Sequence, residues 1–331
     1  MFDRRTFLAV MTQLLAAHGW SKVALADEAQ TQRDRLGEWM PARVLGRTGE
    51  PVTMLGLGGY HFGKVEETEA QAMLEAALEG GLRFIDSAVQ YQNGGSEERM
   101  GRLITPKYRE EVFLMTKSQA KDAKGVRQEL EDSLRRLKTD YLDLWQIHAI
   151  DSPEDVDERL DNGVLDAFLQ AKEEGKTRYI GFTGHRNYKA HLRILERTKD
   201  SDPFDACQMP INVLDPAYAS YIVNVMPKLE ERNIGILAMK TLAFGNLLDK
   251  SRETGEGAQK VVPDVMSLEE ALHFVWSQPV ATVISGMESV AHFQENAGYA
   301  RSWKPMDEEA RQALLANVAE FAGNEWESYK A

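Results

Sequence analysis

The sequence predicts an α/β fold, a single (β/α)8 TIM barrel. The main observation is that short β-rich segments alternate with longer helical segments about eight times. A second observation is that neither a low-complexity stretch nor a long run of like charge divides the 331 residues. One large domain is therefore expected, with the barrel in residues 43–325 and a C-terminal tail in residues 326–331.

The eight predicted strands are short, apolar and rich in β-branched or aromatic residues. Between them, apolar residues recur at helical spacing, as in residues 126–137, and residues 164–176 end on the Gly and Lys typical of a helix C-terminus. A turn-rich stretch, Ser251–Val262, is interpreted as a flexible loop of the same domain. The strand segments are TMLGLGG, LRFIDSA, EVFLMTK, YLDLWQIH, RYIGFTG, FDACQMPIN, IGILAMK and ATVISGM.

An open, doubly wound sheet is the alternative fold. Such a sheet normally carries a Gly-rich phosphate-binding turn after its first strand, and the segment LGLGGYHFG matches the G-x-G-x-x-G pattern poorly. The barrel is therefore favoured.

Residues 1–26 resemble a twin-arginine signal peptide. Arg4 and Arg5 precede a moderately apolar stretch, and the segment ends on small residues at Ala24–Ala26. The resemblance implies recognition by the twin-arginine export machinery and a periplasmic or exported protein, with residues 27–42 as a polar linker. The alternative is an amphipathic helix packed on the barrel of a cytoplasmic enzyme.

Composition excludes several classes of partner. The formal net charge is −13, with no clustered Lys and Arg for phosphate neutralisation, so a nucleic-acid partner is not expected. No stretch has the roughly 18 consecutive apolar residues of a membrane-spanning helix. The single Cys207 lies in an apolar segment and is interpreted as a buried, inert thiol.

Polar side chains follow three successive predicted strands. Asp86 and Lys117 each close a strand segment, His148 closes the next, and Tyr91 lies five residues after Asp86. Each has an ordinary structural explanation: a turn cap, a surface cation or a core histidine. Because TIM-barrel enzymes place reactive groups where strands end, the four together predict a catalytic site.

The segments FIDSAVQY, MTK and LWQIH resemble the Asp, Tyr, Lys and His motifs of the aldo-keto reductases, within a match from about Arg43 to Asn296. The resemblance implies hydride transfer from NADPH, with NADH possible, to a small-molecule carbonyl substrate. Tyr91 is then the proton donor. An adjacent Lys117 ammonium favours the ionised phenol and strengthens it as an acid, Asp86 holds Lys117, and neutral His148 orients the carbonyl oxygen.

The resemblance also implies the cofactor contacts. Gln208 matches the glutamine that binds the nicotinamide amide, Thr183 stands where the family has serine, and Gly184 replaces an asparagine. Met239 replaces the tyrosine that stacks on the nicotinamide ring, a position that a polarizable thioether can fill. The other predicted cofactor positions are Gly58, Gly59, Asp86, Lys240, Leu242, Gly245, Gly286, His292, Glu295 and Asn296.

Two of these positions depart from the family where it binds the 2′-phosphate. Gly286 and His292 stand at positions that usually supply a Lys and an Arg, so only a modest preference for NADPH over NADH is expected. The predicted substrate pocket contains Tyr60, His61 and His185, with Arg186 beside it.

Two other functional classes compete with the reductase. One is a nucleotide-binding regulatory or sensor barrel without turnover. The other is a metal-dependent hydrolase using His61, Asp86 and His148, although that class needs clustered histidines at the first strand and only His61 is there. No metal is therefore expected.

Overall fold

A computed structural model describes residues 32–248, 260–261 and 265–330. Eight parallel strands in these ranges close into one barrel in chain order, and the eighth pairs with the first, with Val283 opposite Leu55. Each strand overlaps one of the eight predicted segments, and two strands extend one residue beyond theirs, so the predicted (β/α)8 fold is confirmed. The strands are β1 (Leu55–Gly58), β2 (Phe84–Asp86), β3 (Phe113–Ser118), β4 (Leu142–Ile147), β5 (Thr177–Thr183), β6 (Ala206–Pro210), β7 (Gly235–Met239) and β8 (Thr282–Ser285).

Helices connect the strands and surround the barrel. The predicted helical residues 126–137 lie in a helix that begins after Asp122, whose carboxylate accepts a hydrogen bond from the Gly125 backbone N–H at 2.9 Å. The helices are α1 (Gly59–Phe62), α2 (Glu67–Glu79), α3 (Gly95–Leu103), α4 (Thr105–Tyr108), α5 (Ala123–Leu137), α6 (Pro153–Asp161), α7 (Val164–Glu173), α8 (Tyr188–Arg197), α9 (Tyr221–Asn224), α10 (Met226–Glu231), α11 (Leu268–Trp276), α12 (Val290–Ser302) and α13 (Glu308–Val318).

Side chains fill the barrel interior. Phe84 and Phe113 stack with ring centroids 5.0 Å apart, and Leu45 and Val52 pack into the same cluster from a hairpin that precedes β1. The hairpin pairs Ala42–Val44 with Pro51–Thr53. Because apolar groups fill the barrel at the amino ends of its strands, a ligand can enter only from the end where the strands finish.

The described part of the predicted linker is folded. Arg33–Asp34 pairs with Gly37–Glu38 as a short hairpin, and the Asp34 carboxylate accepts a 2.6 Å hydrogen bond from the guanidinium of Arg83. Met40 is buried against the barrel. The polar composition of residues 27–42 predicts a linker, and the sequence alone does not show that Asp34 pairs with the buried Arg83.

The described part of the predicted C-terminal tail is also packed onto the domain. Glu327 and Lys330 are buried, and the Lys330 ammonium lies 2.7 Å from Asp215 and 2.8 Å from Glu327. It also donates to the Tyr218 carbonyl at 2.8 Å. Residues 326–330 therefore form part of the barrel mouth, and their charge reflects a buried ion network.

Other predictions fall wholly or partly outside the described residues. The signal peptide in residues 1–26 lies outside them, as does most of Ser251–Val262, of which Lys260–Val261 pairs with Met266–Ser267. Cys207 is buried as predicted. In the described ranges, no helix has the length and apolar character needed to cross a bilayer, and no three His, Cys, Asp or Glu side chains are grouped as metal ligands.

Candidate active site

The four predicted catalytic residues meet at the carboxyl end of the barrel. Asp86 is the last residue of β2, Lys117 lies near the end of β3, and His148 directly follows β4. Tyr91 begins a tight turn after β2 in which the next two residues have positive φ. Parallel neighbouring strands end at the same edge, which is why residues 31 positions apart in sequence, Asp86 and Lys117, are in contact.

Lys117 is the centre of this group. Its ammonium forms an ion pair with the Asp86 carboxylate, donates to the Ser87 carbonyl at 2.7 Å, and lies 3.3 Å from the Tyr91 hydroxyl. These three contacts match the three N–H donors of an ammonium. The Lys117 side chain is 1% exposed, so the network is shielded from bulk water.

Asp86 is held in an environment that opposes its charge. Burial raises the pKa of its carboxyl, while Lys117 and the Gly59 backbone N–H act in the other direction. A Cβ at position 59 would lie 2.2 Å from the Asp86 carbonyl oxygen, so only glycine fits this close approach. Gly59, predicted to contact the cofactor, thus also supports the Asp86 carboxylate.

Tyr91 is enclosed by aromatic rings and keeps its proton. Its ring meets those of Tyr60 and His148 edge-on, at centroid distances of 5.5 and 6.0 Å. Burial raises the pKa of the phenol well above its usual value, and the Asp86 charge adds to this effect. The sequence led us to expect the opposite direction from Lys117, but in the structure the ammonium is paired with Asp86.

His148 is neutral, as the proton-donor arrangement requires. Burial and the charge of Lys117 lower the pKa of its imidazole well below the usual value. Its backbone N–H donates to the Ser118 carbonyl at 2.7 Å, while its Nδ1 has no hydrogen-bond partner among the described residues. A neutral imidazole at this position can hydrogen-bond a carbonyl oxygen without adding charge to the site.

The predicted nicotinamide contacts lie on β5, β6 and β7, the strands that follow those of the predicted catalytic residues around the barrel. Thr183 and Gln208 are cross-strand neighbours on β5 and β6, and both are buried. Met239 ends β7. Gly184 has a steric reason to differ from the family's asparagine, because a Cβ there would lie 2.4 Å from the Ile150 carbonyl oxygen.

The predicted phosphate loop joins β8 to α12. The Asn296 side chain donates to Ser285 at 3.1 Å, and the Glu288 backbone N–H donates to Nδ1 of His292 at 3.3 Å. A Cβ at Gly286 would lie 2.1 Å from the His61 ring. His61, predicted for the substrate pocket, therefore lies against the phosphate loop and fills the space that a longer residue at 286 would need.

Lys240 provides a cation near the mouth. Its ammonium lies 4.3 Å from the Phe244 ring centroid and 5.2 Å from that of Tyr329, and burial lowers its pKa to about 8. Within the described ranges no carboxylate lies at ion-pair distance from it. Leu242 and Gly245 belong to the same loop, and among the described residues no atom lies within 4 Å of a Cβ built at Gly245.

These groups fit a nicotinamide nucleotide. A buried carboxamide, a hydroxyl and a thioether lie on the strands that follow those of the predicted catalytic residues, and an ammonium without a carboxylate partner among the described residues lies beyond them. The Glu295 carboxylate accepts a 3.4 Å hydrogen bond from Tyr299, which leaves it near Asn296 on α12. These side chains are suited to a nicotinamide ring with its carboxamide at the centre of the barrel and to an anionic phosphate at the edge of the barrel.

A family model described as "Aldo/keto reductase family" matches residues 54–265. The chain belongs to the aldo-keto reductase family. It is 28% identical to the uncharacterized oxidoreductase YqkF of Bacillus subtilis over 306 residues, covering 82% of this chain and 95% of that protein. It is 26% identical to L-galactose dehydrogenase of Arabidopsis thaliana over 323 residues, covering 86% and 97%.

A solved structure agrees with this membership. The apo form of aldo-keto reductase AKR11C1 from Bacillus halodurans superposes with a TM-score of 0.66 at 26% identity, covering 87% of this chain and 99% of that one. The likeness thus extends over nearly the whole length of the relative's chain.

His185, which was predicted for the substrate pocket of this aldo-keto reductase, is uncharged. Burial lowers the pKa of His185 to about 4, and its Nδ1 lies 3.4 Å from the Tyr329 carbonyl. Arg186 lies 3.6 Å from Asp151 at the surface. Tyr60 is partly exposed beside Tyr91.

Two residues near the site, Gln146 and Tyr329, were not predicted from the sequence. Gln146 lies buried inside the barrel and hydrogen-bonds Gln208. A polar residue in the otherwise apolar YLDLWQIH segment was the available signal. Tyr329 had none, because its place at the mouth depends on contacts with residues more than a hundred positions away.

Proposed function

We propose that this protein reduces an aldehyde or ketone to an alcohol with NADPH as the hydride source and Tyr91 as the proton donor. The observation that carries the proposal is the Lys117 ammonium in contact with both Asp86 and the Tyr91 hydroxyl, beside a neutral His148. No specific observation favours a regulatory barrel without turnover.

The roles of the protein groups follow from their protonation. When bound, the reduced nicotinamide supplies the hydride. His148 hydrogen-bonds the substrate oxygen, and Tyr91 donates its phenolic proton to that oxygen as negative charge develops on it. The tyrosinate left behind lies next to the Lys117 ammonium, which stabilises it. Asp86 and Lys117 are almost completely buried, so water is kept away from the ion pair that these two residues form.

A direct test is to incubate the purified full chain with NADPH and a panel of aldehydes, ketones and quinones. We expect loss of NADPH matched one for one by alcohol or hydroquinone product for at least one compound. Binding of NADPH without consumption of any carbonyl would favour the regulatory alternative.

We further propose that NADPH is preferred over NADH only modestly. A Lys and Arg pair would contribute roughly 1.5 to 3 kcal/mol per charge-assisted hydrogen bond to a 2′-phosphate, and Gly286 and His292 cannot supply both. We expect dissociation constants that differ on the order of tenfold.

Calorimetric titration with both nucleotides checks this preference, and His292→Ala should reduce it. A preference of roughly a thousandfold, about 4 kcal/mol, that His292→Ala leaves unchanged would show that another group binds the 2′-phosphate.

We also propose that the protein is exported by the twin-arginine pathway, from the paired Arg4 and Arg5 and the small-residue segment Ala24–Ala26. This pathway carries folded proteins, as an enzyme that binds its nucleotide before export requires. Replacing both residues, Arg4→Lys with Arg5→Lys, should retain the uncleaved protein in the cytoplasm because the paired guanidinium groups are lost while the charge is kept.

Cell fractionation with N-terminal sequencing measures this outcome. The matched control is Arg33→Lys with Arg35→Lys, which makes the same change outside residues 1–26 and should leave export intact. Normal export of the Arg4→Lys, Arg5→Lys variant, or a wild type that stays uncleaved in the cytoplasm, would contradict the proposal.

A further inference from the structure

Gln146 is a fully buried amide inside the barrel. It lies on β4 two residues before His148, and its side chain is directed inward with those of Leu144 and His148. Transfer of an amide from water into an apolar core is unfavourable unless its polar atoms are hydrogen-bonded. The position therefore needs an explanation other than packing.

The hydrogen bonds of Gln146 lead to Gln208. Its Nε2 donates to Oε1 of Gln208 at 3.2 Å and lies 3.6 Å from the Met115 sulfur. Its own Oε1 has no hydrogen-bond partner in the described part of the chain. A buried amide with one unpaired acceptor contributes little to stability, because that acceptor has lost its hydrogen bonds to water. An apolar residue of similar size would carry no such penalty.

The backbone between the two glutamines leaves room for this contact. Gln146 on β4 is opposite Gly181 on β5, and Gly181 is opposite Ala206 on β6. A Cβ at position 181 would lie 3.3 Å from Cγ of Gln146 and 2.5 Å from the Ala206 carbonyl oxygen. The missing side chain lets Gln146 reach across β5 to the next inward-facing layer.

We propose that Gln146 is a positioning residue that fixes which end of the Gln208 amide faces the nicotinamide. This inference rests on the proposed function. Gln208 is opposite Thr183, whereas Gln146 is opposite Gly181, two residues earlier on the same strand. Gln146 therefore contacts Gln208 from the side of the barrel interior that is farther from the mouth. With its oxygen held from below, Gln208 presents its N–H donors toward the mouth, where they can bind the oxygen of the cofactor carboxamide.

The experiment compares a whole nucleotide with one that lacks the nicotinamide. Calorimetry on the full chain would measure binding of NADP and of adenosine 2′,5′-bisphosphate to wild type and Gln146→Leu. We expect the variant to bind NADP about tenfold more weakly, the effect of one net hydrogen bond, and to bind the bisphosphate as the wild type does.

A double-mutant cycle separates positioning from packing. Gln208→Ala removes the residue through which Gln146 is proposed to act, so adding Gln146→Leu in that background should not weaken NADP binding further. Gln278→Leu is the matched control, because it removes another buried amide that donates to the Phe274 carbonyl at 3.1 Å on the far side of the domain. It should leave both affinities unchanged.

Three results would overturn the inference. They are an equal loss of affinity for both ligands in Gln146→Leu, an unchanged affinity for NADP, and a full-sized effect that persists with Gln208→Ala. If Gln146→Leu fails to fold, Gln146→Met keeps the chain length without the donor and carries the same expectation. Failure of the wild type to bind NADP would instead contradict the proposed function before any variant is compared.

Discussion

Tyr91→Phe should lower carbonyl reduction by about 10² or more while leaving NADPH affinity nearly unchanged, since positioned proton transfer commonly contributes that much to rate. The change removes only the hydroxyl that lies 3.3 Å from the Lys117 ammonium. The ring remains, so its edge-on contacts with Tyr60 and His148 should persist. Steady-state kinetics with a reactive aldehyde and calorimetry with NADPH measure the two quantities.

The control for this prediction is Tyr141→Phe. That residue begins the segment that leads into β4, and its ring packs under the Arg109 guanidinium at 3.8 Å, away from the mouth. Loss of its hydroxyl should leave kcat/KM unchanged. Reduction by Tyr91→Phe at the wild-type rate would show that the proton comes from another group.

Lys330→Met should destabilise the fold by about 3 to 5 kcal/mol, because it leaves buried carboxylates without their cation. Lys330 is the ammonium between Asp215 and Glu327, and both of its ion-pair partners are fully buried. Methionine keeps the apolar stem but supplies no charge. The free energy of unfolding, from denaturant titration at neutral pH, measures the loss.

The pH dependence of that loss has a definite sign. Burial raises the pKa of Glu327, so this group takes up a proton at mildly acidic pH more readily than an exposed glutamate. Protonation relieves the uncompensated charge in Lys330→Met, and the difference from wild type should therefore shrink as pH falls. The control is Lys199→Met, which breaks an exposed ion pair with Glu196 and should have little effect. A loss in Lys330→Met no larger than in this control would contradict the proposed role of the buried network.

The barrel and the grouping of the four predicted catalytic residues could be predicted because their signals are local. Each strand is a short apolar run, and Asp86, Lys117 and His148 mark the ends of consecutive strands. Because neighbouring parallel strands end at the same edge of the barrel, these three residues are expected to lie close together. The neutral His148 that the resemblance implies agrees with its lowered pKa, because burial and a neighbouring cation act in the same direction on that group.

What could not be predicted depends on three-dimensional pairing. The predicted direction of the Tyr91 pKa shift was wrong because Lys117 is paired with Asp86, and desolvation together with the Asp86 charge favours the neutral phenol. Residues 326–331 were predicted to be a C-terminal tail, whereas Lys330 is buried and pairs with Asp215, 115 positions earlier in the sequence. The contact between His61 and Gly286 joins the loops after β1 and β8, which the sequence does not place in register.

The central claim is that hydride passes from the nicotinamide to the carbonyl carbon while Tyr91 protonates the oxygen. Mass spectrometry of the alcohol made from an aldehyde with NADPH deuterated at the transferable position of C4 tests this most directly. We predict one deuterium on the former carbonyl carbon of each product molecule, with the hydroxyl hydrogen drawn from solvent. Product that lacks the label, or a label lost to water, would contradict direct hydride transfer.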